Sequence, residues 1–259
     1  MAHDEDAGRE EENRMTATAY PVVGRREFLL GTLALGVMAS LPGVAFAQVA
    51  ADPASDAVRR LMVLSTQNAL NRLGQPNGFL TSNVARFGMP VLFAKGAATA
   101  TGPLSQGAFR QELIQKLNYF AEAGARGAVP AMAEASRKLP IPNATAIVQG
   151  QPTAATSALR LEMGSGLVNA LRGPIEQALV AAQDPIIAQA VAALPGVTLR
   201  DVAQAIALSA DNGIWYEIGS AEAELRANPA ASGDSALVAG LAAARAPVPA
   251  PLPPAAPRP

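Results

Sequence analysis

The chain has 259 residues, of which 16% are charged, and its formal net charge is −1. It contains no Cys, and its one His, His3, lies near the N-terminus, so the body of the chain excludes disulfides, Ser-His-Asp and Cys-His nucleophiles, and the common zinc, copper and haem ligand sets. The near-balanced charge forms no basic stripe, so no nucleic-acid partner is predicted. No cofactor is predicted either, because the body of the chain lacks His and Cys.

Residues 1–47 have the pattern of a cleavable export signal. An arginine pair precedes an apolar run over residues 28–41, which is too short and too rich in Gly and Pro to span a bilayer as a helix. Two alternatives are an uncleaved anchor and an ordinary signal that exports the unfolded chain, which an arginine pair can also precede. The residues predicted for signal recognition are Arg25, Arg26, Phe28 and Leu29, and those predicted for cleavage are Ala45, Ala47 and Gln48. The pattern predicts the twin-arginine export machinery and a signal peptidase as partners, and a periplasmic or otherwise exported location.

The first 14 residues do not fit an export signal, because six of them are acidic and such signals begin with a positive leader. A start at Met15 removes the acidic residues and leaves the arginine pair in place. We therefore interpret residues 1–14 as an artefact of the assigned start site.

From Gln48 onward the chain is rich in Ala and poor in period-two apolar runs, which predicts helices. Asp52-Pro53 is a typical helix start, and Gly74 is a typical helix end. We expect the turn that follows to return Phe79-Leu80 to the core. Between these two ends, apolar residues recur at helical spacing: Val58, Leu61, Met62, Ala69, Leu70 and Leu73.

The middle of the chain alternates helical patterns with proline breaks. A short helix is expected to begin near Pro90, and a long one to run from Ser105 to Gly127, with Pro130 kinking or restarting it. Asn143 is expected to cap a short turn up to Val148. From Thr153 the helical pattern resumes and is expected to break or bend at Gly173-Pro174. Gly164-Ser165-Gly166 lacks the lysine of a phosphate loop, so we interpret it as a packing site inside that helix.

Three further helix starts are predicted toward the C-terminus. They are Asp184-Pro185, Thr198 with Asp201 as a capping-box variant, and Asp234-Ser235. The helix after Thr198 is expected to be interrupted or eased near Asn212-Gly213. Residues 246–259 contain seven prolines and are predicted to be a disordered tail.

An acidic cluster formed by Glu217, Glu222 and Glu224 is the best candidate for polar chemistry. Glu217 and Glu224 are seven residues apart, which places them on one helix face. The specific hypothesis is a metal site or an acid/base pair, and the simpler interpretation, which we favour, is a solvated helix face. Asp211 precedes Asn212-Gly213, so it could serve a cap or a site, and we favour the cap.

Trp215 and Tyr216 point about 100° apart on a helix, so one should lie in the core and the other should be partly exposed. No serine is spaced to form a dyad with a lysine, and no catalytic residue and no metal ligand set are assigned.

Five segments, in order and at plausible spacing over residues 58–231, resemble the bacterial domain-of-unknown-function 4197 family. They are Leu73 to Leu80, Ala128-Val129-Pro130, Ala154-Ala155-Thr156, Gly213-Ile214-Trp215 and Ala221 to Ala231. The family usually has two aspartates before its A-A-T motif, where this chain has Pro152-Thr153. The resemblance implies an exported, all-helical domain and brings no established activity. Because Thr156 belongs to the A-A-T motif, we add it to the candidate polar residues.

We therefore predict an all-α fold, a single helical-bundle-like domain of about seven to nine helices over residues 48–245. The predicted function is that of a non-catalytic binding or scaffold domain of the bacterial envelope, whose partner is an unidentified envelope protein or an apolar ligand. Two alternatives stay open. One is a carboxylate-based hydrolase or Ca/Mg-binding protein, and the other is a lipid-binding envelope protein.

Overall fold

The computed structural model describes residues 52–97 and 102–246, and these residues belong to one compact unit. The predicted export signal and the tail from residue 247 onward lie outside the described residues. Within the described ranges the secondary structure is entirely helical, which confirms the predicted all-α class. The ten α-helices are α1 Pro53–Leu73, α2 Gly78–Thr81, α3 Val91–Ala97, α4 Gly107–Lys138, α5 Ala144–Gln149, α6 Ala154–Met163, α7 Gly166–Ala182, α8 Pro185–Ala192, α9 Leu199–Ala227 and α10 Ser235–Arg245.

Four long helices close around the core. α1 packs on α4, α4 on α7, α7 on α9, and α9 on α1, while α10 packs against α1. Apolar side chains from all four helices are fully buried between them, among them Leu61, Leu70, Leu117, Met132, Leu171, Ile206 and Ile214. Each such side chain contributes about 1.5–3 kcal/mol through burial. The stability of the domain therefore comes from this shared core, since the chain has no Cys for a disulfide.

Local side-chain caps begin five of the ten α-helices of the described ranges, each where the sequence predicts a helix start. The carboxylate of Asp52 accepts the N–H of Ala54, the amide oxygen of Asn143 accepts the N–H of Ala146, and Thr198 and Asp201 form a reciprocal capping box. Asp184 and Asp234 likewise accept backbone N–H groups at the starts of α8 and α10. The buried Phe79 confirms that the turn after Gly74 returns the chain to the core.

The sequence predicts a kink or restart at Pro130 and a break or bend at Gly173-Pro174, and the restart and the break do not occur. α4 continues through Pro130, and α7 continues through Gly173-Pro174. Pro130 is exposed, so solvent can satisfy the carbonyl that loses its partner. Pro174 faces α4 so closely that a Cβ on Gly127 would come within 2.3 Å of its ring. Packing against α4 therefore supports α7 at Pro174, whereas Pro130 lies on the exposed side of α4.

The interruption between Thr153 and Ala182 occurs instead at Gly164-Ser165, which separates α6 from α7. Gly164 has a φ of 51°, a left-handed conformation that favours glycine, and no atom lies within 4 Å of the position where its Cβ would be. It therefore ends a helix, and the prediction that this glycine allows close packing inside one is wrong.

The predicted interruption of the last long helix near Asn212-Gly213 is also wrong, because α9 runs unbroken past both residues. A Cβ on Gly213 would lie 2.5 Å from the Cα of Ala85 and 2.9 Å from the carbonyl oxygen of Val84. Gly213 therefore lets the connector after α2 cross α9 in direct backbone contact. The glycine thus serves packing against this connector and does not mark a break in the helix.

Candidate functional site

The five predicted polar residues lie on α6 and α9 but do not converge on one centre. Glu222 and Thr156 are buried, Glu217 is partly buried, and Glu224 is exposed. The structure divides them into three groups, each with its own partners. For Glu222, the interpretation as part of a solvated helix face is wrong, because its exposed fraction is 0%.

Glu222 caps the start of α6 from the neighbouring helix. Its carboxylate accepts the N–H of Ala155 at 3.0 Å and the N–H of Thr156 at 2.7 Å, and the hydroxyl of Thr156 donates to it at 2.6 Å. Thr153, at the N-cap position, provides no side-chain cap. A carboxylate from α9 thus satisfies the N–H groups that a local cap would otherwise bind.

Arg226 completes this buried network one turn further along α9. Its guanidinium pairs with Glu222 at 2.7 Å, and it donates to the carbonyl oxygens of Val148 at 2.8 Å and Ile147 at 3.0 Å. The network therefore joins the end of α5, the start of α6 and α9. Because the carboxylate and the guanidinium are both fully engaged, this arrangement serves packing of the helices.

Glu217 and Glu224 do share one face of α9, and Arg72 of α1 lies between them. The guanidinium is 3.8 Å from Glu217 and 3.1 Å from Glu224, and the hydroxyl of Ser82 donates to Glu217 at 2.6 Å. A cation supplied by the chain itself therefore occupies the space between the two carboxylates. Within residues 52–97 and 102–246, no cluster of three acidic residues has the geometry of a metal site.

Asp211 lies inside α9, so the prediction that it is a cap is wrong. It accepts the indole N–H of Trp215 at 3.2 Å and lies 3.6 Å from the guanidinium of Arg160. Burial raises the pKa of Asp211, while Arg160 and the indole N–H act in the opposite direction. Trp215 is 3% exposed and Tyr216 is 66% exposed, which confirms the predicted division between core and surface.

A groove that the sequence did not predict runs beside the first half of α9, with a volume of about 650 Å³. We call it the α9 groove. One wall is the connector before α3, and the other is a face of α9 whose residues recur every three or four positions. The lining residues are Phe87, Gly88, Met89, Pro90, Val91, Leu92, Asp201, Gln204, Ala205, Leu208, Ser209 and Asn212.

The α9 groove exposes apolar side chains that a core would bury. Leu208 is 58% exposed and Val91 is 66% exposed. The sequence carried one signal for this groove, since Leu208 lies off the face of α9 that holds the buried Val202 and Ile206. Recognising it required the position of the connector, which depends on the crossing at Gly213.

Two smaller pockets flank the α9 groove. The pocket toward the start of α9, of about 460 Å³, shares Asp201, Gln204 and Leu208 with the groove and adds Ser165, Val168, Asn169, Arg172 and Arg200; we call it the arginine pocket. The other, of about 270 Å³, lies between α6 and α9 and includes Thr156, Arg160, Trp215 and Tyr216. Arg160 donates to Asn212 at 2.5 Å, so this contact separates the second pocket from the groove.

A family model described as a protein of unknown function, DUF4197, matches residues 48–239. The chain belongs to the DUF4197 family. No match was found among curated proteins or among solved structures. The resemblance inferred from the sequence over residues 58–231 is therefore confirmed, and the match extends beyond it at both ends.

Two of the segments by which this DUF4197 protein resembles its family meet in the buried network. Ala155 and Thr156 belong to the A-A-T segment, and Glu222 and Arg226 belong to the segment over residues 221–231. A third segment contains Gly213, at the crossing with Ala85. These segments of the DUF4197 fold therefore make contacts between helices.

Proposed function

We propose that this DUF4197 protein is an exported, non-catalytic helical domain that binds an apolar ligand in the α9 groove. The observation that carries the proposal is the groove itself. Its volume falls within the range of small-molecule sites, and its walls combine apolar side chains with a few polar ones, as such sites do. Exposed Leu208 and Val91 provide apolar surface that a ligand would remove from water.

The contacts of the acidic residues favour binding over the carboxylate-based alternative. Glu222 is committed to Arg226 and to the start of α6, and Glu217 and Glu224 are paired with Arg72. A general acid or base needs a carboxyl group that can reach a substrate proton. These three carboxylates each have partners from the chain instead.

Export through the twin-arginine machinery, with cleavage by a signal peptidase before Gln48, belongs to the same proposal. The family match supports it, because the match begins at residue 48, where the mature chain is predicted to begin. None of the helices in the described ranges is both long and apolar enough to cross a membrane.

The groove is tested by replacing Leu208, whose side chain is more than half exposed and therefore adds little to folding. We expect Leu208→Gln to weaken binding of the neutral apolar dye Nile red about tenfold, because it removes apolar contact worth roughly 1.5 kcal/mol. Leu161→Gln is the matched control, since Leu161 is 87% exposed and lies outside the groove. Fluorescence titration of both variants and the parent protein gives the three dissociation constants.

Equal dissociation constants for all three proteins, or no binding to the parent protein, would contradict the proposal. Native mass spectrometry of the protein purified from its own envelope then identifies the ligand. A co-purified small molecule that is lost in Leu208→Gln and kept in Leu161→Gln is the expected result.

A further inference from the structure

The arginine pocket places positive charge directly beside an apolar groove. It contains the guanidinium groups of Arg172 and Arg200, together with the uncharged polar side chains of Ser165 and Asn169. Arg172 is exposed and forms no ion pair with another residue of the described ranges. Arg200 is 75% exposed at its side chain and lies 3.6 Å from Glu176, an arrangement that leaves most of its guanidinium facing solvent.

The one carboxylate in the arginine pocket is already committed to its own helix. Asp201 accepts the N–H of Thr198 at 2.8 Å and the hydroxyl of Thr198 at 2.7 Å. These bonds, with the nearby Arg200, lower the pKa of Asp201, so it stays ionised as part of the α9 cap. Glu176, which lies 3.6 Å from Arg200, adds a second carboxylate at the edge of the pocket. Arg172 is therefore the guanidinium of the arginine pocket that has no ion pair within the described ranges.

The arginine pocket and the α9 groove meet at Gln204 and Leu208, one helical turn apart and roughly 6 Å along the axis. Leu208 forms a ridge between them. The side-chain oxygen of Gln204 is buried there and has no hydrogen-bond partner, which is an unfavourable state for an amide. A molecule that crosses the ridge would cover Leu208. Because the amide oxygen of Gln204 only accepts hydrogen bonds, an anionic group of that molecule would lie away from it, at the arginines.

From this juxtaposition we infer that the ligand is a single-chain anionic amphiphile, a fatty carboxylate, with its chain in the α9 groove and its carboxylate at Arg172 and Arg200. The inference rests on the proposed function, because it assumes that the groove binds a ligand. Arg172 and Arg200 can meet a carboxylate with paired N–H donors, and Asn169 and Ser165 can supply uncharged hydrogen bonds. The groove has room for one chain of a small ligand.

The test compares decanoate with decanol, which has the same chain and no charge, by isothermal titration at pH 8 on the purified protein. We expect decanoate to bind about tenfold more tightly, because a hydrogen bond to a charged group is stronger than one to a hydroxyl. Lengthening the chain by one methylene should tighten both ligands about fourfold. Raising the ionic strength should weaken the binding of decanoate and leave the binding of decanol unchanged.

Arg172→Gln should remove the preference for decanoate and leave the affinity for decanol within about twofold, since only the charge contact is lost. Arg110→Gln is the matched control, because Arg110 is an exposed arginine of α4 outside both pockets. It should keep the full preference for decanoate. Circular dichroism melting of both variants checks that the fold is intact.

The outcomes separate the two proposals. If decanoate and decanol bind equally and Arg172→Gln changes nothing, the anionic head is wrong and the apolar groove stands. If neither ligand binds, the proposed function is itself wrong. Binding to phosphatidylglycerol vesicles without binding to free decanoate would overturn the single-chain ligand in favour of a membrane surface.

Discussion

Glu222 is the carboxylate on which the interior of the molecule depends most. It is completely buried, it receives two backbone N–H groups of α6, and it pairs with Arg226 at 2.7 Å. A buried ion pair adds little net stability over an apolar pair, but removing one partner leaves an uncompensated charge in the interior. Replacing Glu222 alone should therefore cost more stability than the intact ion pair contributes.

We predict that Glu222→Ala lowers the free energy of unfolding by about 3–5 kcal/mol, because Arg226 and the start of α6 both lose their partner. The control is Glu224→Ala, since the side chain of Glu224 is 59% exposed in its pair with Arg72. That change should cost less than about 1 kcal/mol. Urea unfolding at pH 7 measures both, and equal losses would show that the buried network does not stabilise the fold.

At the scale of a single residue, Glu122 makes the stability of the fold depend on pH. It is 1% exposed, its Oε1 has no hydrogen-bond partner, and burial raises its pKa against the opposing effects of the N–H of Asn77 and the charge of Arg126. Because the pKa is higher in the folded state than in the unfolded state, the stability that Glu122 contributes is complete below the unfolded pKa. It is lost as the pH rises through the folded pKa.

Glu122→Gln removes this titration while keeping the shape of the side chain. We expect the variant to gain stability relative to the parent protein as the pH rises from 4 to 8, measured by urea unfolding at each pH. Glu134→Gln is the control of opposite sign, because hydrogen bonding and charge from Lys138 lower the pKa of Glu134. Its relative stability should fall over the same interval, and parallel curves for Glu122→Gln and the parent protein would refute the assignment.

At the scale of the elements, some helical glycines lie where another segment crosses closely, and others lie where no other segment is near. A Cβ on Gly213 would meet the backbone of Ala85 at 2.5 Å, whereas nothing apart from its own stretch of α7 lies within 4 Å of a Cβ on Gly173, which is also inside a helix. We predict that Gly213→Ala lowers the free energy of unfolding by about 1–3 kcal/mol through overpacking. Gly173→Ala should change it by less than about 1 kcal/mol, because the gain in helix propensity is opposed by the clash between a new Cβ and the ring of Pro174. Thermal melting of both variants tests the pair, and a stabilising Gly213→Ala would contradict the crossing.

Helix starts were predictable because a cap is a local contact. Asp52, Asn143 and Thr198 each bind N–H groups two or three residues away, so the sequence alone contains both partners. No break occurs at Pro130, which lies on the exposed side of α4, or at Gly173-Pro174. At Pro174 the contact with Gly127 of α4 is tertiary, and no local pattern contains it. The true break at Gly164 depends on a left-handed backbone that its neighbours allow.

The site was predictable only in part, for a similar reason. The shared face of Glu217 and Glu224 follows from helix geometry, but Arg72, which pairs with both, comes from 145 or more residues earlier in the chain. The partners of Glu222 on α6 are likewise remote in sequence. The α9 groove needs the connector to lie across α9, and no local pattern determines that crossing.

At the scale of the whole molecule, the proposed export signal over residues 1–47 can be tested in cells. We predict that replacing Arg25 and Arg26 together by Lys abolishes export and leaves the uncleaved precursor in the cytoplasm. Immunoblots of periplasmic and cytoplasmic fractions measure this, and mass spectrometry of the exported protein should place its first residue at Gln48. Replacing Arg9 and Arg14 by Lys is the control, which should change nothing because both precede Met15. Undiminished export of the Arg25/Arg26 variant would reject the twin-arginine route.

α9 carries the groove on one side, core residues on another, and the pair with α6 near its far end. Each residue advances a helix by about 100°, so inserting one amino acid after Asn212 would rotate every later side chain by that angle. Glu222 would then swing away from the start of α6, while Leu208 upstream kept its place in the groove. The side chains of α9 therefore keep their positions only if the number of residues in the helix stays the same. Substitutions in α9 should be tolerated far more easily than insertions or deletions.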